Sequence, residues 1–372
     1  MIKCISLKNV KCFENQSIAL TNLNILSGLN GAGKSTIIQS ILMVAQSKLS
    51  DDLNLNGDLI ELGNYNDLRY QNANDDSLQI SIQTENGKIT WGYTDGFEAE
   101  NIGKTLTVPM LEGDIEPKDC ISKGLIYLCA ERWGPRANVP LNTQISGTHW
   151  LGKHGEYTIE LLAGLMKGTV RDKLGNSISN LVVEDPRRHD EETSDLIFWQ
   201  IVAWMGEISP GVKINARVVE EASIGFSEFT FGESKPYKAN NVGFGLSYAL
   251  SVVTALIAAQ SGSLIILENP EAHLHPQGQS KLGSLIALTA KAGVQVIVET
   301  HSDHLINGAR IMARKNLISP DEFNIMFVER SNKTLLSDIK FLKVNEVGQI
   351  DEWPDGFFDQ QLKDMQTLIS GD

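Results

Sequence analysis

Lysine and arginine are the minority charges in this chain of 372 residues, 32 against 46 aspartates and glutamates, for a formal net charge of −14. That deficit argues against a broad nonspecific DNA surface, which needs clustered cations. A local basic groove, or one formed only in an oligomer, stays open. Cysteine is scarce: Cys4, Cys12, Cys120 and Cys129 show no C-x-x-C spacing and no dense framework, as expected of reduced thiols. No stretch approaches the ~18–20 uninterrupted apolar residues of a membrane span. The opening Met1–Lys8 lacks the apolar core of a signal peptide. Sustained heptads, internal repeats and low-complexity linkers are missing too, so no long coiled-coil arm is expected. The expectation is a soluble cytoplasmic protein with no membrane partner. Hydrophobic residues at 42% and charged ones at 21% leave ample core for one large domain or two ordinary ones.

Against that background one segment carries defined chemistry. Residues 28–35 read Gly-Leu-Asn-Gly-Ala-Gly-Lys-Ser, after the short apolar run Leu23–Leu26 and before the apolar helical run Thr36–Val44. Strand, glycine loop and helix in this order are the context a P-loop requires. Gly28, Gly31 and Gly33 free the backbone so that N–H groups around Asn30, Gly31, Ala32 and Gly33 converge on phosphate oxygens. The helix N-terminus beginning at Lys34, Ser35 and Thr36 adds partial positive charge. Lys34 is expected to reach the β- and γ-phosphates, and the Ser35 hydroxyl to ligate Mg²⁺. This pattern binds a nucleoside triphosphate.

The remaining elements are read from periodicity. Strands are expected at Ile2–Leu7, Ser17–Leu20 and Leu23–Leu26, a helix at Lys34–Gln46, and a hairpin from Leu78–Gln83 and Lys88–Trp91 around Glu85-Asn86-Gly87. A buried helix through Ile197, Trp199, Val202 and Trp204 is expected to be capped by Thr193 or Ser194. Val212–Val218 and Phe226–Phe231 read as a strand pair. Further on come helices Tyr248–Ala259 and Lys281–Lys291 and apolar strands Leu264–Leu267 and Val294–Val298. Such doubly buried runs between helices imply a parallel sheet. Strands at Phe323–Val328 and Ser337–Val344 close the chain. The mixed-sign stretch 184–192 reads as a solvated loop. Trp133, Trp199 and Trp204 read as core or interface residues. Arg132 and Arg136 read as phosphate or partner contacts, or as surface ion pairs. Trp353–Phe358 is an apolar segment expected to dock, with a partner patch as the second reading.

A second set of chemistry-bearing residues follows position 240. The strand Leu264-Ile-Ile-Leu-Glu268 ends in Asn269-Pro270-Glu271, and a carboxylate at such a strand end can hold Mg²⁺ through water, with Glu268 the candidate. The next strand ends in Glu299-Thr300-His301-Ser302, where His301 can meet a γ-phosphate or order the attacking water. Glu299 is read either as a structural or as a catalytic carboxylate. Asn241-Val-Gly243-Phe-Gly245-Leu-Ser247 is a glycine-rich turn opening a helix, a second anion-binding end. One nucleotide needs one cradle, so two imply a head-to-tail homodimer that sandwiches nucleotide between copies. His273, His275, His301 and His304 beside Glu268 and Glu271 leave a zinc or dinuclear centre as a lesser alternative.

These segments resemble the ABC-class AAA ATPase heads of the RecF, SMC and OLD type, in particular compact bacterial ATPases that end in a short C-terminal domain of unknown function. The resemblance is carried by Gly28–Ser35, Asn241–Ser247, Glu268–Pro276, Glu299–Leu305 and Asp351–Asp359, and weakly by Ala130-Glu-Arg-Trp-Gly-Pro135. It implies an α/β fold: an ABC-type P-loop NTPase head with an N-terminal antiparallel β subdomain, a central mixed helical and β insertion, and a parallel core sheet. The expected division is 1–104 (N-terminal lobe with the P-loop), 105–240 (central insertion), 241–320 (signature turn, acidic strand end and switch His301) and 321–372 (short C-terminal domain). ATP and Mg²⁺ are the implied ligands, with metal contacts from Ser35, Glu268 and Gln71, the last as the Q-loop residue after Leu62-Gly63. The family's acidic strand normally ends in two acids, the second a general base; here that position is Asn269, which cannot usefully accept a proton. Slow hydrolysis is therefore expected, with Glu271 or His301 positioning the water.

Such heads are associated by resemblance with bacterial anti-phage or mobile-element modules, in which a separate effector carries the toxic activity. An ATP-driven switch over such an effector is the leading expectation. A RecF-like DNA-repair ATPase and a non-hydrolysing ATP-binding scaffold are the alternatives. An OLD-type nuclease would need a further acidic metal domain, and the residues after His301 show no compelling D-x-D cluster.

Overall fold

In Ile2–Val10 the buried Ile5 and Leu7 alternate with Ser6 and Lys8, the period-two pattern of a strand with one buried face. The computed structural model describes residues 1–47, 50–96, 104–121, 123–142, 151–171 and 175–370, which fall into two compact units, Met1–Ser122 with Phe323–Asp372, and Lys123–Glu322.

In the first unit, Ile2–Val10 pairs antiparallel with Phe13–Ala19 on one side and with Leu78–Thr84 on the other. Lys88–Tyr93 and then Met110–Gly113 extend the sheet, so the expected hairpin lies inside a five-stranded antiparallel sheet. Leu23–Gly28 is different: five of its six residues are buried. It runs parallel to Phe323–Arg330, with Ile25 opposite Ile325 and Gly28 opposite Val328, and Ser337–Lys343 pairs antiparallel with that strand. The helix Lys34–Gln46 spans the residues expected of it. Of the terminal apolar segment, Phe357 is buried 5.5 Å from the Phe327 ring, whereas Trp353 stays exposed.

In the second unit, Leu125–Leu128, Leu264–Glu268 and Gln295–Glu299 form a parallel ladder with Leu128 opposite Leu267 and Glu268 opposite Glu299. Helices Phe244–Ala258, Pro276–Lys291 and Asp303–Arg314 connect and follow these strands. The middle of the chain adds helices Thr158–Lys167 and Ile197–Ile208 and the antiparallel pair Val212–Val219 and Ile224–Phe231. Antiparallel β, a mixed helical and β middle, and parallel strands are thus all present, as the ABC-type reading requires. Among the described residues no helix is long and apolar enough to cross a membrane.

Three local expectations are corrected. The helix after Ser194 is not capped by Thr193 or Ser194: its N-cap is Leu196, because Asp195–Ile197 is held extended by Leu181 N–H to Asp195 and Ile197 N–H to Ser179. Tertiary pairing overrides the capping signal. Trp204 is core as expected, donating Nε1–H to the Arg187 carbonyl at 2.8 Å, but the helix is not buried throughout, since Trp199 is 45% exposed. The stretch 184–192 is not a wholly solvated loop. Arg187 is buried, paired at 2.6 Å with Asp185, and its Nη1 donates to the Leu256 and Ala259 carbonyls at the end of the helix begun at Phe244. A cation on orphan carbonyls is what a helix C-terminus favours.

Candidate nucleotide site

The first unit holds the glycine loop Gly28–Ser35. Gly28 sits at φ 137°, and a Cβ there would lie 2.1 Å from the Val328 carbonyl oxygen, so the parallel neighbour and the backbone conformation both demand glycine. Gly33 is the left-handed N-cap of Lys34–Gln46, with no side-chain cap and no acidic residue in the first turn. A helix start left uncapped by side chains, with no local negative charge, is an anion site in waiting. Lys34 is only 3% exposed, and its Nζ donates to the Gly28 carbonyl (2.9 Å) and the Leu29 carbonyl (3.0 Å). The loop thus curls around its own ammonium. Asn30, Gly31 and Ser35 are exposed, Ala32 and Thr36 buried, and Arg330 adds a cation whose Nη1 meets the Gly31 carbonyl at 3.4 Å. Gln71 lies exposed in the turn after the short helix Tyr65–Leu68.

The second unit gathers the acidic strand end, His301 and the glycine-rich turn Asn241–Ser247. Glu268 is held on both oxygens: Tyr127 Oη donates to Oε1 at 2.9 Å and the Ala130 N–H to Oε2 at 3.1 Å. Burial first, and then the neighbouring Glu268 charge, push the Tyr127 phenol well above its usual range, which keeps it a donor. The chain then turns at Asn269, left-handed with φ 45°, whose N–H donates to the Glu299 carbonyl at 2.8 Å. Glu271 is buried; its Oε1 accepts the His301 N–H at 2.9 Å, while its Oε2 and the Asn269 Oδ1 are buried without a partner. Buried polar atoms left unpaired are costly, and they concentrate where a site is incomplete. The His301 ring is exposed, and Ser302 anchors its position by capping Asp303–Arg314 through Leu305 N–H and donating to Gln279 Oε1 at 2.5 Å. Glu299 is also buried.

The signature helix Phe244–Ala258 starts at exposed Gly243 without a side-chain cap. A Cβ on Gly245 would stand 2.5 Å from the His273 carbonyl oxygen, so glycine lets this helix end pack on the segment after Glu271. His273 meets the Tyr248 ring at 5.0 Å and the Phe244 ring at 5.8 Å, Phe244 being 57% exposed, and Ser247 is half-buried one turn in. Within this unit Gly243, Gly245, Ser247, Glu268, Asn269, Glu271 and His301 therefore belong to one linked set of strand ends and helix starts.

Sequence reasoning missed two members of that set. Tyr127 carried no motif signal beyond its place at the end of an apolar strand. Arg132, expected at a surface, a partner or a phosphate, is instead 2% exposed and donates to the backbone carbonyls of Cys129, Glu268 and Asn269. Among the described residues no three His, Cys, Asp or Glu side chains are grouped to hold a metal ion. A nucleotide-bound Mg²⁺ does not need such a group, since one or two protein oxygens and the phosphates suffice.

Residues 158–307 match the family "AAA domain, putative AbiEii toxin, Type IV TA system", residues 4–115 match "AAA domain", and residues 318–368 match "Protein of unknown function (DUF3696)". No curated protein matches the chain significantly in sequence. Among solved structures, the SMC head bound to the C-winged helix domain of ScpA is similar in fold (14% identity, 92% of this chain and 98% of that one, TM-score 0.57). So is the SMC head with an extended coiled coil, bound to the C-terminal domain of ScpA derived from Pyrococcus furiosus (12% identity, 99% of each chain, TM-score 0.50). Two AAA-domain models thus match parts of the chain, and its fold is similar to that of an SMC head, an ABC-type P-loop fold.

Proposed function

We propose that this head binds ATP with Mg²⁺, hydrolyses it slowly, and cycles between separate and head-to-tail paired states to control a partner effector. The observation that carries ATP capture is the Gly28–Ser35 loop, whose backbone encloses the Lys34 ammonium between two carbonyls at 2.9 and 3.0 Å. Phosphate oxygens are stronger partners for an ammonium than neutral carbonyls, so ATP competes favourably for it. The Ser35 hydroxyl in one unit and the Glu268 carboxylate in the other are each oxygen donors of the kind Mg²⁺ takes. When bound, Mg²⁺ neutralises charge on the transferring phosphoryl group.

Slow hydrolysis rests on Asn269. An amide at the second acid position supplies no base, and one oxygen of Glu271 is taken up by the His301 N–H. In this reading His301 orients the water, and Glu271 holds His301 where it can. The uncapped, exposed signature turn at Gly243 supports pairing, each copy offering it to the nucleotide of the other. The toxin–antitoxin wording of the matched AAA family lends support to a defence role, and a head bound to a small partner domain has a parallel in the SMC head bound to ScpA.

The test is ATP turnover with and without DNA, together with oligomeric state with and without ATP. Turnover insensitive to DNA, with ATP-dependent dimers, is the expected result. DNA-stimulated turnover would favour the RecF-like repair reading instead. Asn269 itself favours one second reading, a non-hydrolysing scaffold, which predicts ATP-dependent dimers that release no phosphate.

A further inference from the structure

The segment Ala130–Pro135 has no part in the reading above, yet it contains the most enclosed cation of the second unit's strand-end cluster. Arg132 Nη1 donates to the carbonyls of Cys129 (3.0 Å) and Glu268 (2.6 Å), and Nη2 to the carbonyl of Asn269 (2.6 Å). The Tyr248 ring lies 5.2 Å from the guanidinium carbon, and Nε is buried without a partner. Burying a cation is expensive unless dipoles or charges converge on it. Here three carbonyls converge, two of them from the consecutive residues at which the acidic strand turns.

That turn needs holding. Asn269 is left-handed at φ 45°, a conformation sparsely populated by L-residues, and it separates the two carboxylates Glu268 and Glu271. The same short segment also fixes the Glu268 carboxylate, through Tyr127 Oη and Ala130 N–H. Backbone and side chain of the acidic strand end are thus gripped by residues 127–132.

We propose that Arg132 is a positioning residue for ATP hydrolysis: its planar fork locks the Glu268–Asn269 turn, so that turnover depends on it while nucleotide capture by the glycine loop does not. The proposal rests on the hydrolysis reading above. Lysine keeps the charge but offers a point ammonium on a flexible stem and cannot reproduce a fork that spans three carbonyls.

The experiment uses the full chain with Arg132→Ala and Arg132→Lys, measuring ATP turnover, ATP affinity by calorimetry in EDTA, and melting temperature. A displaced turn is expected to lower kcat about 100-fold in Arg132→Ala and about tenfold in Arg132→Lys, with ATP affinity within about twofold of the parent. Either variant folded and turning over like the parent overturns the proposal. So does a loss of ATP affinity in step with kcat in a folded Arg132→Lys, which would make the residue a phosphate ligand or a general support. If the parent itself releases no phosphate, the hydrolysis reading fails, and hydrogen exchange at the Asn269 N–H decides on Arg132. Faster exchange in Arg132→Lys sustains the locking role, and unchanged exchange overturns it.

Discussion

The glycine loop and the acidic strand end do complementary chemistry with opposite materials. The loop is made of backbone: Gly28 tolerates neither a Cβ nor another φ, Gly33 offers bare helix start, and the single side chain inside, Lys34, is held by main-chain carbonyls. The strand end is made of side chains that reach across the unit, with Tyr127 on Glu268, Glu271 on the His301 N–H and Arg132 on two consecutive carbonyls. A backbone cradle is close to all-or-none, because its shape follows from the main-chain dihedrals. A side-chain network can be detuned one member at a time, and it leaves two orphaned oxygens, Asn269 Oδ1 and Glu271 Oε2, as points of adjustment. On the proposed function, capture would be rigid and hydrolysis adjustable.

The contrast breaks most visibly at Lys34. Lys34→Ala should weaken ATP binding at least about 100-fold by calorimetry, since it removes a buried ammonium whose charge-assisted bonds have no substitute. Ser247→Arg, one turn into the signature helix, should leave affinity in the monomer unchanged and abolish ATP-dependent dimers in light scattering. Equal loss of nucleotide binding in both would mean that the signature turn belongs to the capture machinery, and the division of labour would fail.

Next in size are the members of the network. His301→Ala should lower kcat by about 100-fold with KM little changed, the size expected for losing a group that orders the attacking water. Glu271→Gln keeps an oxygen for the His301 N–H but loses the charge, and should cost less. Because the two act through one backbone bond, the double variant should be no slower than His301→Ala alone. Strict additivity of the two effects would separate Glu271 from His301 and give it a role of its own. Asn269→Asp sharpens the point in the other direction. Aspartate tolerates the left-handed turn and puts a carboxylate where the resemblance to ABC-class heads implies one, so phosphate release should rise about tenfold. An unchanged rate would locate the slow step outside proton transfer.

The same difference of materials decides what could be read in advance. Glycine spacing announces a backbone cradle, and the helix Lys34–Gln46 follows from its apolar run. Doubly apolar strands such as Leu264–Glu268 announce parallel pairing. Yet nothing local tells that Phe323–Arg330 lies beside Leu23–Gly28, some three hundred residues earlier, because strand partners are chosen by tertiary packing. Nor does a lone tyrosine at a strand end declare its carboxylate partner 141 positions away. Arg132 and Arg187 were misread for one reason: arginine is mostly exposed, and only the converging carbonyls reveal the buried exceptions. The capping signal at Ser194 failed because the Ser179–Leu181 segment takes the backbone groups of Asp195 and Ile197 first.

The smallest expected effect is on stability, and it belongs to the second unit. Asp185 and Arg187 are paired with side chains only 8% and 6% exposed, and Arg187 ties down the far end of the helix that the signature turn begins. Burial alone would raise the Asp185 carboxyl, but the hydrogen bonds and charge of Arg187 outweigh it and hold the carboxyl below its usual value. A folded value below the unfolded one means that the pair contributes fully above the unfolded value of about 4 and loses its contribution as pH falls through the folded value. Acidification should therefore loosen the C-terminal turn of Phe244–Ala258, seen as faster hydrogen exchange at residues 256–259 below about pH 4. Asp185→Asn should already exchange faster at neutral pH and show a shallower acid response than the parent. Identical acid responses in the two proteins would mean that the adjustable half of the molecule is anchored by packing rather than by this ion pair, and the contrast between the two halves would then stop at the strand ends.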